Sequence, residues 1–413
     1  MMTLTPGPAV DSVAIARTEV QQCSAAQPYQ DLAQSIGATI RSGRAGPELI
    51  PARVPPSPQP LAGSATTGSG SALLSVAFGG SGFFCALPDY AVMAVSGPDA
   101  ISFLHAQLTN DLAALGEQEV QLNGYCTAKG RLLATTMAWR HAGTVTLIVP
   151  SAHGRSLASR LRKYVMRAKV SIEMPEDVAI LGIAQSVAGE VLGSLGVMAP
   201  AAMRTTAPGE RMAVGLLPVL ASDRVWTRHL LMVPADQLQS VWQTLGTSLD
   251  PVSTSSWRWL EVLSGVPRIV GGAVEQFVPQ MINLERVEGV NFKKGCYPGQ
   301  EVVARSQYLG KLKRRMFLAS IRAPEISPGQ DVYADGQPEP AGQVVLAAPV
   351  PDWLAHGSNA AGAKASTASV DPVQVVLFEA SRDVVAQHLA NATLRMACPD
   401  GDPMHGLALP YDV

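Results

Sequence analysis

The chain has 413 residues, of which 47% are apolar and 15% charged, with a formal net charge of −2. That length predicts two or three domains with ample material for buried cores, and the near-neutral balance gives no global electrostatic case for nucleic-acid binding. The opening residues lack the basic-then-apolar order of a secretory signal, and no run approaches the roughly 18 to 20 apolar residues of a membrane span, so a soluble, cytoplasmic protein without a membrane partner is expected.

Residues 1–75 are rich in Ala, Ser, Gly and Pro and read as a disordered, low-complexity extension, with at most a marginal helix from Tyr29 to Ile40. Residues 76–175 read as a first α+β unit. Tyr90 to Val95 is a strand, and Gly97-Pro98 opens a helix whose buried stripe is Ile101, Leu104, Leu108 and Leu112. Strands follow at Val120 to Cys126, Arg131 to Trp139 and Thr144 to Val149. A second helix buries Leu157, Leu161, Tyr164 and Val165, and Ala168 to Glu173 closes the unit as a strand. This order is ferredoxin-like.

Residues 176–308 repeat that grammar, with strands at 178–183, 211–219 and 228–233. Helices are expected at Gly189 to Leu195, after Pro234 (Leu238, Val241, Trp242 and Leu245 inward) and at Ser255 to Ser264. Residues 309–413 hold short strands at 316–321, 331–333, 342–346 and 373–378, which predict a small C-terminal β-barrel with a low-complexity insertion at 356–370.

Chemistry concentrates in one stretch, Lys293 to Arg305. Gly295, Pro298 and Gly299 punctuate it as an exposed turn that presents Cys296, followed by a short helix or strand carrying Gln300, Glu301 and Arg305. Cations favour thiolate, so Lys294 beside Cys296 makes the thiol a candidate nucleophile, redox thiol or soft-metal ligand. The plain alternative is a tight turn with a small buried thiol. The five cysteines, Cys23, Cys85, Cys126, Cys296 and Cys398, are scattered without a C-x-x-C pair, which fits reduced thiols and not a local four-cysteine cluster site.

The run Lys294-Gly295-Cys296-Tyr297-Pro298-Gly299-Gln300-Glu301 resembles the K-G-C-Y-x-G-Q-E signature of the YgfZ, or CAF17-like, folate-binding family, which is related to the aminomethyltransferase of the glycine cleavage system. The lead-in Phe277-Val278-Pro279-Gln280 with Asn283-Leu284, Gly265-Val266-Pro267, the span from Gly97 to Asp111, Ala128-Lys129-Gly130-Arg131 and the closing Leu409-Pro410-Tyr411 extend the resemblance from about Phe84 to the C-terminus. It implies three domains in a ring, two ferredoxin-like α+β units and the barrel, around tetrahydrofolate or a derivative. It also implies a role in maintaining iron-sulfur proteins, including those that thiolate tRNA. Cys296 and Lys294 then become the reactive pair, and Gly295, Tyr297, Gly299, Gln300, Glu301 and Arg305 shape the loop.

The candidate folate contacts are Asn110 and Asp111 at the end of the first helix, Lys129 and Arg131 for the glutamyl carboxylates, Trp259 for stacking on the pterin, and Gln280. Each has a plainer reading as a cap, a solvated turn or a core residue. Aminomethyltransferases carry a catalytic aspartate just after the glycine that Gly130 matches. Here Arg131-Leu132-Leu133 follows, so aminomethyl transfer is not expected. Arg155, Arg160, Arg162, Lys163, Arg167 and Lys169 make a basic helix, and Lys311 to Arg315 a second basic cluster. Either is a solvated face or an anion or RNA surface, and direct RNA binding stays open. The seven histidines show no metal-ligand spacing and no phosphate loop appears, so no resident metal is expected, and Cys296 would serve at most as a transient cluster ligand. Iron-sulfur client or assembly proteins are the implied partners. A folate-dependent one-carbon transferase acting on RNA or protein, and a folate-sensing scaffold without catalysis, are the alternatives.

Overall fold

The computed structural model describes residues 27–43, 46–52, 82–185, 190–207, 209–221, 224–308, 312–351 and 372–413. The low-complexity insertion, Lys311 and most of the N-terminal extension lie outside them.

Strands β1 (Thr39–Gly43) and β2 (Gly46–Ile50) form a hairpin after helix α1 (Gln27–Ile36). The first large sheet has the order β5-β6-β7-β4-β8, built from β4 (Tyr90–Ser96), β5 (Gln121–Cys126), β6 (Leu132–His141), β7 (Thr144–Pro150) and β8 (Ser171–Glu173). Helices α2 (Ala100–His105) and α3 (Ser151–Val165) pack on it. The second sheet has the order β10-β11-β9-β3-β12, from β3 (Gly82–Ala86), β9 (Val178–Gln185), β10 (Met212–Ala221), β11 (Arg224–Pro234) and β12 (Asp250–Pro251). Helix α4 (Glu190–Ser194) follows β9 and α5 (Leu238–Leu245) follows β11. Helix α6 (Thr254–Leu263) then enters the centre, and α7 (Gln300–Tyr308) carries the end of the signature.

The third sheet contains β13 (Arg314–Arg322), β14 (Asp331–Ala334), β15 (Pro340–Pro349), β16 (Val373–Ser381), β17 (Leu394–Met396) and β18 (His405–Leu407), in the order β17-β14-β15-β16-β13-β18. Helix α8 (Arg382–His388) follows β16. The sheet has two unpaired edges, β17 and β18, so the expected barrel is an open half-barrel among the described residues.

Alternation explains how the sheets meet. In β3, Phe83 and Cys85 enter one core while Phe84 and Ala86 enter another; in β16, Val375 and Leu377 part from Val376 and Phe378 in the same way. Successive strand side chains point to opposite faces, and here both faces are buried. One face of each of the three sheets joins a single central core. Helix α6 lies in it and is buried at nine of its ten positions, as a helix surrounded by sheets must be.

Four expectations need correcting. Strand β3 falls within the expected first unit, residues 76–175, but pairs with β9 in the second sheet, so that unit does not form a single sheet in space. The first helix stops at His105. Beyond it Thr109 N–H bonds the Gly124 carbonyl at 2.9 Å and Leu108 bridges Tyr125, so Leu108 and Leu112 are buried as loop residues. Tyr164, expected inside, is 48% exposed, while Val165 beside it packs on the core. Finally, residues 27–52 of the supposed extension are built into the fold. The Tyr29 hydroxyl is buried, accepts the Ile180 N–H at 2.6 Å and donates toward the Ile180 carbonyl at 3.1 Å. Leu49 N–H bonds Thr254 Oγ1 at 3.0 Å, and Glu48 Oε1 accepts the Ser255 N–H at 3.2 Å, which satisfies a free amide at the start of α6.

This predicts that Tyr29→Ala costs about 3–5 kcal/mol and Tyr29→Phe about 1–3 kcal/mol, read from urea denaturation midpoints. A passive extension would leave both midpoints at the wild-type value.

Candidate functional site

The signature turn packs against the turn before β6. Gly299 has φ +81° and Gly130 φ +73°, a region open to glycine. A Cβ on Gly299 would stand 2.5 Å from the Thr127 carbonyl oxygen and 2.6 Å from Gly130 Cα. Two motifs more than 160 residues apart thus meet backbone to backbone, and only glycine permits it. Cys296 is exposed on this turn. Glu301 and Arg305 are exposed on α7 one helical turn apart and do not pair with each other. Gln300 Nε2 reaches the Lys294 carbonyl at 3.5 Å, a long contact that orients the loop.

Lys294 does not serve the thiol as expected. Its Nζ donates to the carbonyls of His105 and Leu108, the latter at 2.7 Å, where α2 ends with unsatisfied acceptors. It also lies 5.2 Å from the centre of the Tyr297 ring. Burial pulls the Lys294 amine down to about 8, against the opposing charge of Asp111. A neutral amine still has a proton for each carbonyl. Lys294 is therefore the fastener that ties the turn to α2, and Gly295 sits by His105.

A cavity opens between the first two sheets and α6. It is narrow, about 60 Å³, and its wall includes Tyr90, Thr136, Arg228, Glu261 and Arg268 among apolar residues such as Leu122, Ile148 and Leu216. Behind the wall is a buried ion cluster. Asp89 Oδ2 accepts Arg258 Nε at 3.1 Å and Arg268 Nη1 at 2.8 Å. Tyr90 donates its hydroxyl to Glu261, and Arg268 Nη2 lies 3.4 Å from Glu261 Oε2. Burial alone would raise Asp89; the Arg258 and Arg268 guanidiniums outweigh it and hold the carboxyl below its usual range. Burial pushes Glu261 up, and Arg268 only partly opposes it. Arg228 stacks over Trp257 at 5.8 Å and donates to the Leu217 carbonyl, and burial pulls it down to about 10. Thr136 Oγ1, Glu261 Oε2 and Arg268 Nε are buried without a hydrogen bond. Buried polar atoms are rarely left so, and these three belong to residues of the cavity wall.

An outer cavity of about 740 Å³ shares Leu122, Met203, Leu217 and Ser264 with the inner one and opens past Asn110, Asp111, Arg204, Arg286 and Glu288. Asn110 and Asp111 therefore do border the space, as loop residues. Asn110 Nδ2 bonds the carbonyls of Leu122 and Glu288 at 2.9 and 2.7 Å, and Asp111 pairs with His105 at 3.1 Å.

The other expected contacts lie elsewhere. Lys129 and Arg131 are exposed outside both cavities, Arg131 being bonded to the Gln276 carbonyl. Trp259 and Trp257 are both fully buried, and neither lines a wall. Gln280 is buried and ties α7 to its own segment through the Val303 carbonyl at 2.6 Å. Arg314 and Arg315 of the second basic cluster are spent inside, on Glu379 and Glu285. Sequence reading passed over Asp89, Glu261 and Arg268; the available signal was a guanidinium and a carboxylate inside an otherwise apolar helix, Trp257-Arg258-Trp259-Leu260-Glu261. Among the described residues no group of three or more His, Cys, Asp or Glu is placed to hold a metal, and no helix is long and apolar enough to cross a membrane.

The glycine contact predicts that Gly299→Ala costs at least about 2 kcal/mol more than Gly336→Ala in urea denaturation. Gly336 has a similar φ, +73°, with nothing within 4 Å of its Cβ position, so it isolates the dihedral cost. Equal losses would mean that the two turns do not constrain each other.

No family model matches the chain. It is 33% identical over 232 residues to the tRNA-modifying protein YgfZ of Edwardsiella ictaluri (strain 93-146), covering 56% of this chain and 69% of that protein. It is 29% identical over 245 residues to the tRNA-modifying protein YgfZ of Pectobacterium carotovorum subsp. carotovorum (strain PC1), covering 59% of this chain and 72% of that one. Among solved structures, the glycine cleavage system aminomethyltransferase T from Bartonella henselae superposes with a TM-score of 0.63 at 14% identity, over 92% of this chain and 96% of that one, a likeness of fold. With the signature turn in place and a relative this similar over most of its length, the chain belongs to the YgfZ family.

Proposed function

We propose that the chain is a folate-dependent accessory factor that assembles or repairs iron-sulfur proteins and thereby supports tRNA modification such as thiolation. The relatives' name, tRNA-modifying protein, supports the outcome. The observation that carries the folate half is the buried Glu261 carboxylate oxygen, without a hydrogen bond, beside Arg268 in an otherwise largely apolar cavity. A pterin offers adjacent N–H donors to a carboxylate, a carbonyl to a guanidinium and a flat ring to apolar walls. Glu261, Arg268 and Thr136 would hold it, while the outer cavity takes the benzoyl-glutamate portion and Arg286 suits a glutamyl carboxylate. Bound tetrahydrofolate supplies a carrier for a one-carbon unit.

Transfer of that unit is not part of this proposal. Arg131 stands after Gly130 and faces away from the cavity, and Glu261 is the one carboxylate on the inner wall among the described residues. Cys296 is the reactive group instead. Its exposure on a turn held by Lys294 and the glycine contact fits transient ligation of a cluster or sulfur delivered as cargo, with the remaining ligands supplied by the client. The folate-sensing scaffold differs in having no need of the thiol.

Two outcomes follow. Glu261→Gln lowers tetrahydrofolate affinity by about tenfold or more in calorimetry, because a charged hydrogen bond is lost. Wild-type affinity also falls as pH drops through the raised pKa of Glu261, since protonation removes the acceptor, whereas a pH-flat affinity would remove Glu261 from the site. Cys296→Ala keeps wild-type folate affinity but fails to restore [4Fe–4S] enzyme activity and tRNA thiolation in cells lacking their own copy. Full rescue by Cys296→Ala would establish the scaffold reading.

A further inference from the structure

A long stretch of one sign of charge lies on α3 and the turn after it. Between Ser151 and Ser171 there are six cations, Arg155 to Lys169, and no carboxylate, in a chain of net charge −2. Leu157, Ala158 and Leu161 are buried, so Ser159, Lys163 and Met166 lie outward, and the exposed Arg162 donates through Nη2 to the Ile172 carbonyl at 2.5 Å. Arg155 is paired with Glu176. Arg162, Lys163, Arg167 and Lys169 are exposed, and none pairs with a carboxylate among the described residues. The neighbouring acids are otherwise engaged: Asp99 accepts the backbone N–H of Lys169 at 2.7 Å, and Glu173 accepts the Ser171 hydroxyl at 3.0 Å.

Cations alone describe a solvated helix. Two apolar side chains change that. Tyr164 is 48% exposed and Met166 is 88% exposed, and both sit among these cations. Met166 also has φ +41°, uncommon for a residue other than glycine. In the second basic cluster, Arg314 and Arg315 are committed to ion pairs with Glu379 and Glu285.

We propose that the end of α3 docks a folded RNA. Arg162, Lys163, Arg167 and Lys169 contact phosphates, and Tyr164 stacks on an unpaired base. An acidic peptide would satisfy the cations but would make no use of an exposed aromatic ring among guanidiniums, which suits a base. The proposal is separate from folate binding, since none of these residues lines either cavity.

The test is fluorescence anisotropy of the full chain with a labelled, unmodified tRNA transcript, from about 50 to 200 mM salt, with polyglutamate as competitor. The triple variant Arg162→Glu, Lys163→Glu, Arg167→Glu should lose about tenfold or more in affinity and about two units of salt slope. Tyr164→Ala should lose about fivefold or more with the slope unchanged, and Arg155→Glu should bind nearly as wild type. Tetrahydrofolate affinity and melting temperature, unchanged in all variants, report the fold. If the charge reversal perturbs them, the corresponding glutamine variants carry the same expectation. Wild-type RNA affinity in the triple variant overturns the proposal. So does a Tyr164→Ala without effect while polyglutamate competes as well as RNA, which would make the face one for acidic protein.

Discussion

The fold depends on Asp89, a carboxylate buried in the link between β3 and β4 and held by Arg258 and Arg268. The link joins the second sheet to the first. Arg258 comes from the central helix α6 and also donates to the Pro47 carbonyl of the N-terminal hairpin at 3.0 Å. Arg268 comes from the segment after α6 and reaches Glu261. One buried cluster thus sets the two sheets, the helix and the hairpin relative to one another. A cluster of this kind need not add net stability, but removing one member leaves a charge stranded at a cost of about 3–5 kcal/mol. The same cost that fixes the architecture also keeps Glu261 and Arg268 at the cavity wall, where each retains a polar atom without a hydrogen bond.

Electrostatics divides the two carboxylates. Asp89 takes both guanidiniums on one oxygen and stays ionised, while Glu261 shares a single guanidinium and a phenol and is pushed upward by burial. A ligand that brings N–H donors to Glu261 stabilises the charged form that burial penalises. Its binding therefore completes the cluster, and this links the scaffold to the proposed folate site.

Much of this was legible in the sequence, for physical reasons. Strands with side-chain alternation, the helix after Pro234, and the exposed turn at Cys296 followed by a short helix are local patterns that context left intact. The failures were all long-range. Helix α2 had the spacing to continue to Leu112, yet the Thr109 and Leu108 contacts with β5 took the chain out of it. Lys294 is two residues from Cys296 in sequence, but the free carbonyls at the end of α2 claim its ammonium. Residues 27–52 look too polar to order themselves, and they are held by partners 151 to 211 residues later, at Ile180, Thr254, Ser255 and Arg258. Trp259 looked like a stacking platform only because a helix buried on every side cannot be recognised from one turn of its sequence. Tyr164 failed in the opposite sense: it lies outside although its helical neighbours Leu161 and Val165 pack on the core.

The central claim is that the cavity beside Glu261 and Arg268 holds the pterin of a folate. A crystal structure of the chain grown with tetrahydrofolate tests it most directly. The account predicts ring density within hydrogen-bonding distance of the Glu261 carboxylate, with the glutamyl portion leaving past Arg286 and Asn110. Density instead in the cleft among Arg41, Ser253 and Pro349, or none in the inner cavity at saturating folate, would contradict it.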